Sequence, residues 1–167
     1  MQSGSSNSSQ TTQNINSRLT DGEVFKQMQQ LIDQQASVYI ATVNSSGQPE
    51  ASYAPFIARE KSVYLYLSKL AAHSRNLQQN PKLSLLFIEP EGESVDVFAR
   101  KRVTWKCELE AIQRESELWQ EIMDQFEVKH GKTVQLIRQL SDFTLYCCRP
   151  VKANVVLGFA KAYTLRF

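Results

Sequence analysis

Histidine and cysteine are scarce in this sequence, with two and three residues in 167. The cysteine count is odd, and Cys147 and Cys148 are adjacent, so a strand would direct them to opposite faces; neither a disulfide framework nor a zinc site is indicated. A reducing, cytoplasmic setting is expected. The six glycines never gather into a phosphate-binding loop, no nucleophile elbow occurs, and His73 and His130 do not have metal-ligand spacing. The usual hydrolase and metalloenzyme classes are thereby excluded. No apolar run approaches the roughly 18 residues of a membrane span. The amino terminus has neither the basic start nor the apolar core of a secretory signal. Charge of one sign is lacking too: the formal net charge is +2, and Arg100-Lys101-Arg102 is too short a basic run to track a phosphate backbone. No membrane or nucleic-acid partner is expected.

What is present suits one domain. Residues 1–17 are serine, glutamine, asparagine and threonine with almost no apolar content, so they cannot offset their ordering entropy and read as a disordered polar tail. Residues 18–167 carry the core, drawn from a chain that is 42% hydrophobic. Thr20 and Glu23 have capping-box spacing, and Val24, Met28, Leu31 and Ile32 recur at helical intervals, which predicts a helix up to Ser37. Ser37–Val43 and Glu50–Arg59 read as a hairpin around Ser45-Ser46-Gly47, with Pro55 at an edge or bulge.

Ser62–Ser68 alternates Val63, Leu65 and Leu67 with Tyr64 and Tyr66, a strand with two different faces. A short helix follows, with Leu70, His73, Ser74 and Leu77 on one face, stopped by Asn80-Pro81. Lys82–Ile88 is a further strand, and Val95–Glu110 reads as one long strand bent near the basic triplet. Leu118, Trp119, Ile122 and Phe126, then Val134, Ile137 and Leu140, predict a late pair of helices, His130 capping the first at the surface. Asp142–Arg149 and Lys152–Leu157 read as strands separated by Pro150, with Gly158 interrupting before Phe159–Phe167. Short turns between early strands exclude the crossovers of a parallel sheet. An α+β fold, mainly antiparallel β and curled into a six-stranded barrel, accounts for this order.

The most chemically loaded stretch is the junction after Ser62–Ser68, where Ser68, His73, Ser74 and Arg75 stand within a few residues of a helix start. Unpaired amides and the dipole there favour an anion by roughly 0.3–1 kcal/mol, and Arg75 would add a charge-assisted pair.

The segments YIATVNSSGQPEASYAPF, YLYLSKLAAHSRNLQQNPKLSLLFIE, FARKRVTWKCELEAI and LGFAKAY, in that order over Ser37 to Tyr163, resemble the haem-utilisation branch of the pyridoxamine 5'-phosphate oxidase-like, FMN-binding split barrels. The resemblance implies a split barrel with a leading helix, a short helix after the third strand and a late helical pair, working as a homodimer with a cofactor cleft between subunits. Flavin-binding relatives commonly have a cation for the FMN phosphate where this chain has His73, whereas the haem-binding branch has histidine. Haem is therefore the first expectation and FMN the alternative. Haem-degrading relatives carry a further, axial histidine beyond the segment like GFAKAY; here the sequence ends at Phe167 without one, and Ala160 stands where glycine is common. Haem binding is thus the firmer expectation, and oxygenase activity the weaker one. A haem site needs an apolar slot with cations at its rim. Tyr53, Phe56, Phe87 and Phe98 are candidates for the slot. Arg59, Arg75, Arg102 and Lys161 are candidates for the propionates, and His73 for the iron or a distal hydrogen bond. FMN would instead draw on Arg75, Ser74 and Ser68, and a barrel binding neither cofactor would be a non-enzymatic regulatory protein. Asp142 reads as a turn or cap residue.

Overall fold

The computed structural model describes residues 18–167; the polar stretch 1–17 lies outside the described residues. Helix α1 (Asp21–Asp33) starts at Thr20 through the expected capping box, the Thr20 N–H donating to Glu23 Oε2 at 2.8 Å and the Glu23 N–H to Thr20 Oγ1 at 3.4 Å. Its buried face is Val24, Met28, Leu31 and Ile32, and it ends at Asp33, short of Ser37.

The strands are β1 (Ser37–Val43), β2 (Pro49–Arg59), β3 (Ser62–Ser68), β4 (Leu83–Ile88), β5 (Arg102–Ala111), β6 (Phe143–Val156) and β7 (Ala162–Arg166). All pairings are antiparallel, in the order β3-β2-β1-β4-β5-β6-β7. The pairing of β3 with β6 closes six strands into a barrel and leaves β7 beside the second half of β6. Helix α2 (Ala72–Gln79) lies between β3 and β4, and α3 (Glu117–His130) with α4 (Lys132–Ile137) forms the late pair.

Two cores result. Inside the barrel, Phe56 packs edge-on against Phe87 at 5.3 Å and Phe87 against Trp105 at 5.3 Å, while the Trp105 indole N–H points at Met28 Sδ, 3.4 Å away. Outside it, Tyr64, Tyr66, Leu145 and Cys147 of β3 and β6 are covered by Trp119, Ile122, Met123 and Phe126 of α3 and by Val134 of α4. Each large apolar side chain so buried contributes about 1.5–3 kcal/mol. The alternation in β3 therefore separates two interiors, not an interior from water. Cys148 faces the barrel and Cys147 the helices, as adjacent strand residues must.

Several sequence expectations are corrected. Val95–Glu110 is not one strand: 3-10 turns occupy Glu91–Glu93 and Val97–Ala99, and β5 begins only at Arg102. Glu89 pulls the chain round there, its carbonyl accepting from Arg100 Nε and its carboxylate from the Lys101 N–H at 3.0 Å. The register irregularity lies instead at Lys106/Cys107. Conversely, Pro150 does not divide two strands, because β6 runs straight through it. Cys107 faces Pro150 while Lys106 faces Lys152, so Val151 is the extra residue of a bulge. Pro150 also falls after the stretch of β6 paired to β3, which ends at Cys148, and before the stretch paired to β7, which begins at Lys152. Its missing N–H costs little at such a position. Pro55 behaves as expected of an edge residue, since β2 pairs with β3 only from Phe56 onward.

Candidate functional site

Helix α2 begins at Ala72 with no side-chain cap, and it stops at Asn80, whose extended backbone (φ −140°, ψ 99°) is the conformation a following proline imposes. Leu70 lies before the helix and is exposed, so it does not share the buried face formed by Ser74, Asn76 and Leu77. That face docks on β1 and β2 through polar contacts. Asn76 Nδ2 donates to Thr42 Oγ1 at 3.0 Å and to Glu50 Oε2, and His73 Nδ1 is hydrogen-bonded to Ser52 Oγ at 2.9 Å. Glu50 and Ser52 alternate onto one side of β2, and His73 and Asn76 are one helical turn apart, so two strand residues meet two helix residues.

His73 is half-buried, and burial pulls its pKa below the ordinary 6.5; the ring is therefore neutral at pH 7. Among the described residues Ser74 Oγ is the one buried side-chain polar atom without a partner. His73 Nε2 has no hydrogen-bond partner among the described residues. Ser74 itself is 1% exposed. Ser68 is committed to structure: its hydroxyl donates to Asp142 Oδ2 at 2.8 Å and accepts the Leu70 N–H at 3.2 Å. Asp142 lies in the turn before β6, as expected, and its carbonyl takes the Lys69 N–H at 2.7 Å, extending the β3–β6 ladder by one rung. Arg75 is exposed, with Nη1 folded back on the Leu70 carbonyl.

The remaining expected residues stand elsewhere in the protomer. Arg59 is ion-paired with Glu121 at 2.6 Å, seven residues along β2 from Ser52, or roughly 20 Å at strand rise. Arg102 opens β5, three strands and three residues from Ser52, which is about 15 Å or more by strand spacing and rise. Lys161 is exposed between β6 and β7, in a cleft it shares with Arg18, Gln27 and Tyr163. Within the chain these cations do not gather around His73. Phe56 and Phe87 are fully buried in the barrel and cannot line an open slot, a correction that follows from their mutual edge-on packing. His130 is corrected as well: it ends α3, but its ring N–H donates to the Phe56 carbonyl at 3.1 Å, tying the helix to β2. Burial pushes the Cys107 thiol up to about 12 and raises Cys148 well above its ordinary value, so neither supplies a thiolate at neutral pH.

Tyr53 and Phe98 do remain open, 66% and 88% exposed. Tyr53 faces Tyr39 across β1–β2, and Tyr39 faces Leu86 across β1–β4. The outward face of these strands is thus apolar, continuing to Ile88 and Pro90 with Arg100 beside them and Arg102 opposite Ile88. The Arg102 guanidinium meets no carboxylate among the described residues; it donates to the Arg100 carbonyl at 3.0 Å. Ser52 and Tyr53 are strand neighbours, so His73 and the apolar face lie on opposite sides of β2 and communicate round its unpaired edge, residues 49–55. Sequence reasoning missed Ser52, Asn76, Thr42 and Glu50. The available signal was a pair of polar residues, Glu50 and Ser52, at the strand parity that Ala54 and Phe56 use for the core.

A closed antiparallel barrel of six strands, with one strand appended and one sheet face left bare, is a split barrel. The family model described as pyridoxamine 5'-phosphate oxidase matches residues 24–157, and the chain belongs to that family. Within it the chain falls in the haem-utilisation branch. It is 32% identical over 151 residues, 90% of this chain and 86% of the relative, to "Heme oxygenase HutZ" of Vibrio cholerae serotype O1. It is also similar to the crystal structure of HutZ described as a haem storage protein from Vibrio cholerae (TM-score 0.70, 33% identity, 76% of this chain and 89% of that one). Campylobacter jejuni ChuZ is similar at TM-score 0.81 and 29% identity, over 89% of this chain and 61% of that chain.

Proposed function

We propose that this chain binds haem as a homodimer, in a cleft formed where the outward faces of β1, β2 and β4 from two copies meet. The observation that carries the reading is the bare apolar face holding Tyr39, Tyr53, Leu86 and Ile88, bordered by Arg100 and Arg102, with a neutral imidazole at the free edge of β2. A flat apolar disc carrying two carboxylates needs those three things. The likeness to HutZ of Vibrio cholerae, described as handling haem, supports the same ligand. Tyr53 and Phe98 cover porphyrin surface, Arg102 with a Lys161, Arg59 or Arg75 from either copy meets the propionates, and His73 offers Nε2 to iron or to an iron-bound ligand. Haem, when bound, supplies a redox-active iron whose handling of dioxygen is set by its axial ligand. What the protein contributes is orientation, exclusion of water from the disc and neutralisation of its carboxylates.

Titrating the purified protein with hemin tests this. A saturable shift of the Soret band at one haem per subunit or per pair, weakened in His73→Ala, is expected; no shift in either protein sinks the reading. Adding a reductant and oxygen to the complex then separates a carrier, whose Soret band persists, from an oxygenase, whose Soret band is lost with release of iron. A second reading, FMN binding, draws on the start of α2, where the Ala72 and His73 amides have no backbone acceptor and the Ser74 hydroxyl has no partner. Flavin absorbance in the purified protein would favour it, and binding of neither cofactor would leave a regulatory barrel.

A further inference from the structure

We infer that Ser52 is the positioning residue of His73: its hydroxyl oxygen accepts a hydrogen bond from His73 Nδ1–H and so leaves Nε2, with its lone pair, as the nitrogen presented to a ligand. The inference deepens the haem reading and rests on it for the identity of that ligand. Its geometry stands without it. The Ser52 Oγ to His73 Nδ1 distance is 2.9 Å, and neither group has another hydrogen-bonded side-chain partner among the described residues. The other ring nitrogen, Nε2, has no partner among the described residues.

The contact is held from both sides. Ser52 lies in regular pairing with Ile40, which fixes its backbone, and Asn76, one turn beyond His73, is held by Thr42 and Glu50. The imidazole therefore cannot turn about its bonds without losing a hydrogen bond in a half-buried setting, where an unmet polar group is costly. A ring nitrogen that ligates a metal must be bare, and which nitrogen is bare follows from the bond made by the other. Ser52 contacts the nitrogen opposite Nε2, the position from which a hydrogen-bond acceptor sets the tautomer. Among the described residues no other hydroxyl or carboxylate is hydrogen-bonded to this ring.

The test uses the full chain labelled with nitrogen-15 in histidine, with His73 assigned from the spectrum of His73→Gln. In the ligand-free protein above pH 7, the His73 shifts should report the tautomer protonated at Nδ1. Ser52→Ala should move them toward the exchanging average of a free imidazole, and Ser52→Thr, which keeps the hydroxyl and suits a strand, should restore them. Hemin affinity should fall by roughly 10- to 100-fold in Ser52→Ala and return in Ser52→Thr, the range typical of losing a partner that orients a metal-binding histidine. His73 shifts in Ser52→Ala identical to wild type, or a wild-type ring protonated at Nε2, overturn the inference. If His73→Ala binds hemin like wild type, the haem role of His73 fails separately, and the nitrogen shifts alone then judge the Ser52 contact.

Discussion

At the scale of single residues, His73 carries the most chemistry because its Nε2 is left without a hydrogen bond among the described residues, whereas His130 spends its Nε2 on the Phe56 carbonyl. Its burial has a pH signature. The folded ring holds its proton less well than the ordinary 6.5 of the unfolded chain, so between the two values the unfolded state binds more protons. Stability from this ring is complete above about 6.5 and is lost as pH falls through the lower, folded value. Urea unfolding between pH 7.5 and 5 should therefore show a steeper loss of stability in wild type than in His73→Gln. Equal slopes would mean that the ring is solvated. The aromatic candidates divide by the same rule of burial: Phe56 and Phe87 belong to the barrel interior, while Tyr53 and Phe98 are free to meet a ligand or a second copy.

At the scale of elements, the departures from the sequence reading trace to partner changes along a strand. β6 keeps its direction through Pro150 because the strand on one side of it, β5, is continuous while the strand on the other side changes from β3 to β7. The β6–β7 connection is different in kind. Ala160 is held at φ 59°, a left-handed conformation that costs an L-residue about 1–2 kcal/mol and glycine very little. Ala160→Gly should raise stability by about 0.5–1 kcal/mol after the extra entropy of an unfolded glycine is set against the relieved strain. Thermal or denaturant unfolding would register the gain, and a loss would show that the alanine methyl is needed in that loop.

At the scale of the whole molecule, α1, α3 and α4 each cover a part of the barrel, and α3 covers Ile57 of β2, but among the described residues nothing covers the outward face around Tyr39 and Tyr53. Tyr39 is 56% exposed there, beside Tyr53. If that face joins two copies, Tyr53→Glu places an uncompensated carboxylate on each side of the seam, at a cost on the order of 3 kcal/mol each, enough to raise a dimer Kd more than a hundredfold. Sedimentation should find wild type as a dimer and Tyr53→Glu as a monomer with unchanged circular dichroism. A wild-type monomer at micromolar concentration would remove the shared cleft from the haem proposal.

The sequence by itself determined the elements whose signals are local: the Thr20–Glu23 capping box, the period of α1, the stop at Asn80-Pro81, the alternation of β3, and the opposed directions of Cys147 and Cys148. The order of the elements, with turns too short for parallel crossovers, also carried the antiparallel barrel. Only the tertiary structure decided which side of each strand faces a core, because a period of two names two faces without saying what covers them; β3 turned out to be covered on both. It alone paired Ser52 with His73 and Asn76 with Thr42 and Glu50, contacts between residues 21 to 34 positions apart that no local pattern encodes. It also separated Arg59, Arg102 and Lys161 from His73 within one protomer, since strand rise and strand spacing, not distance along the chain, set how far apart residues of a barrel stand.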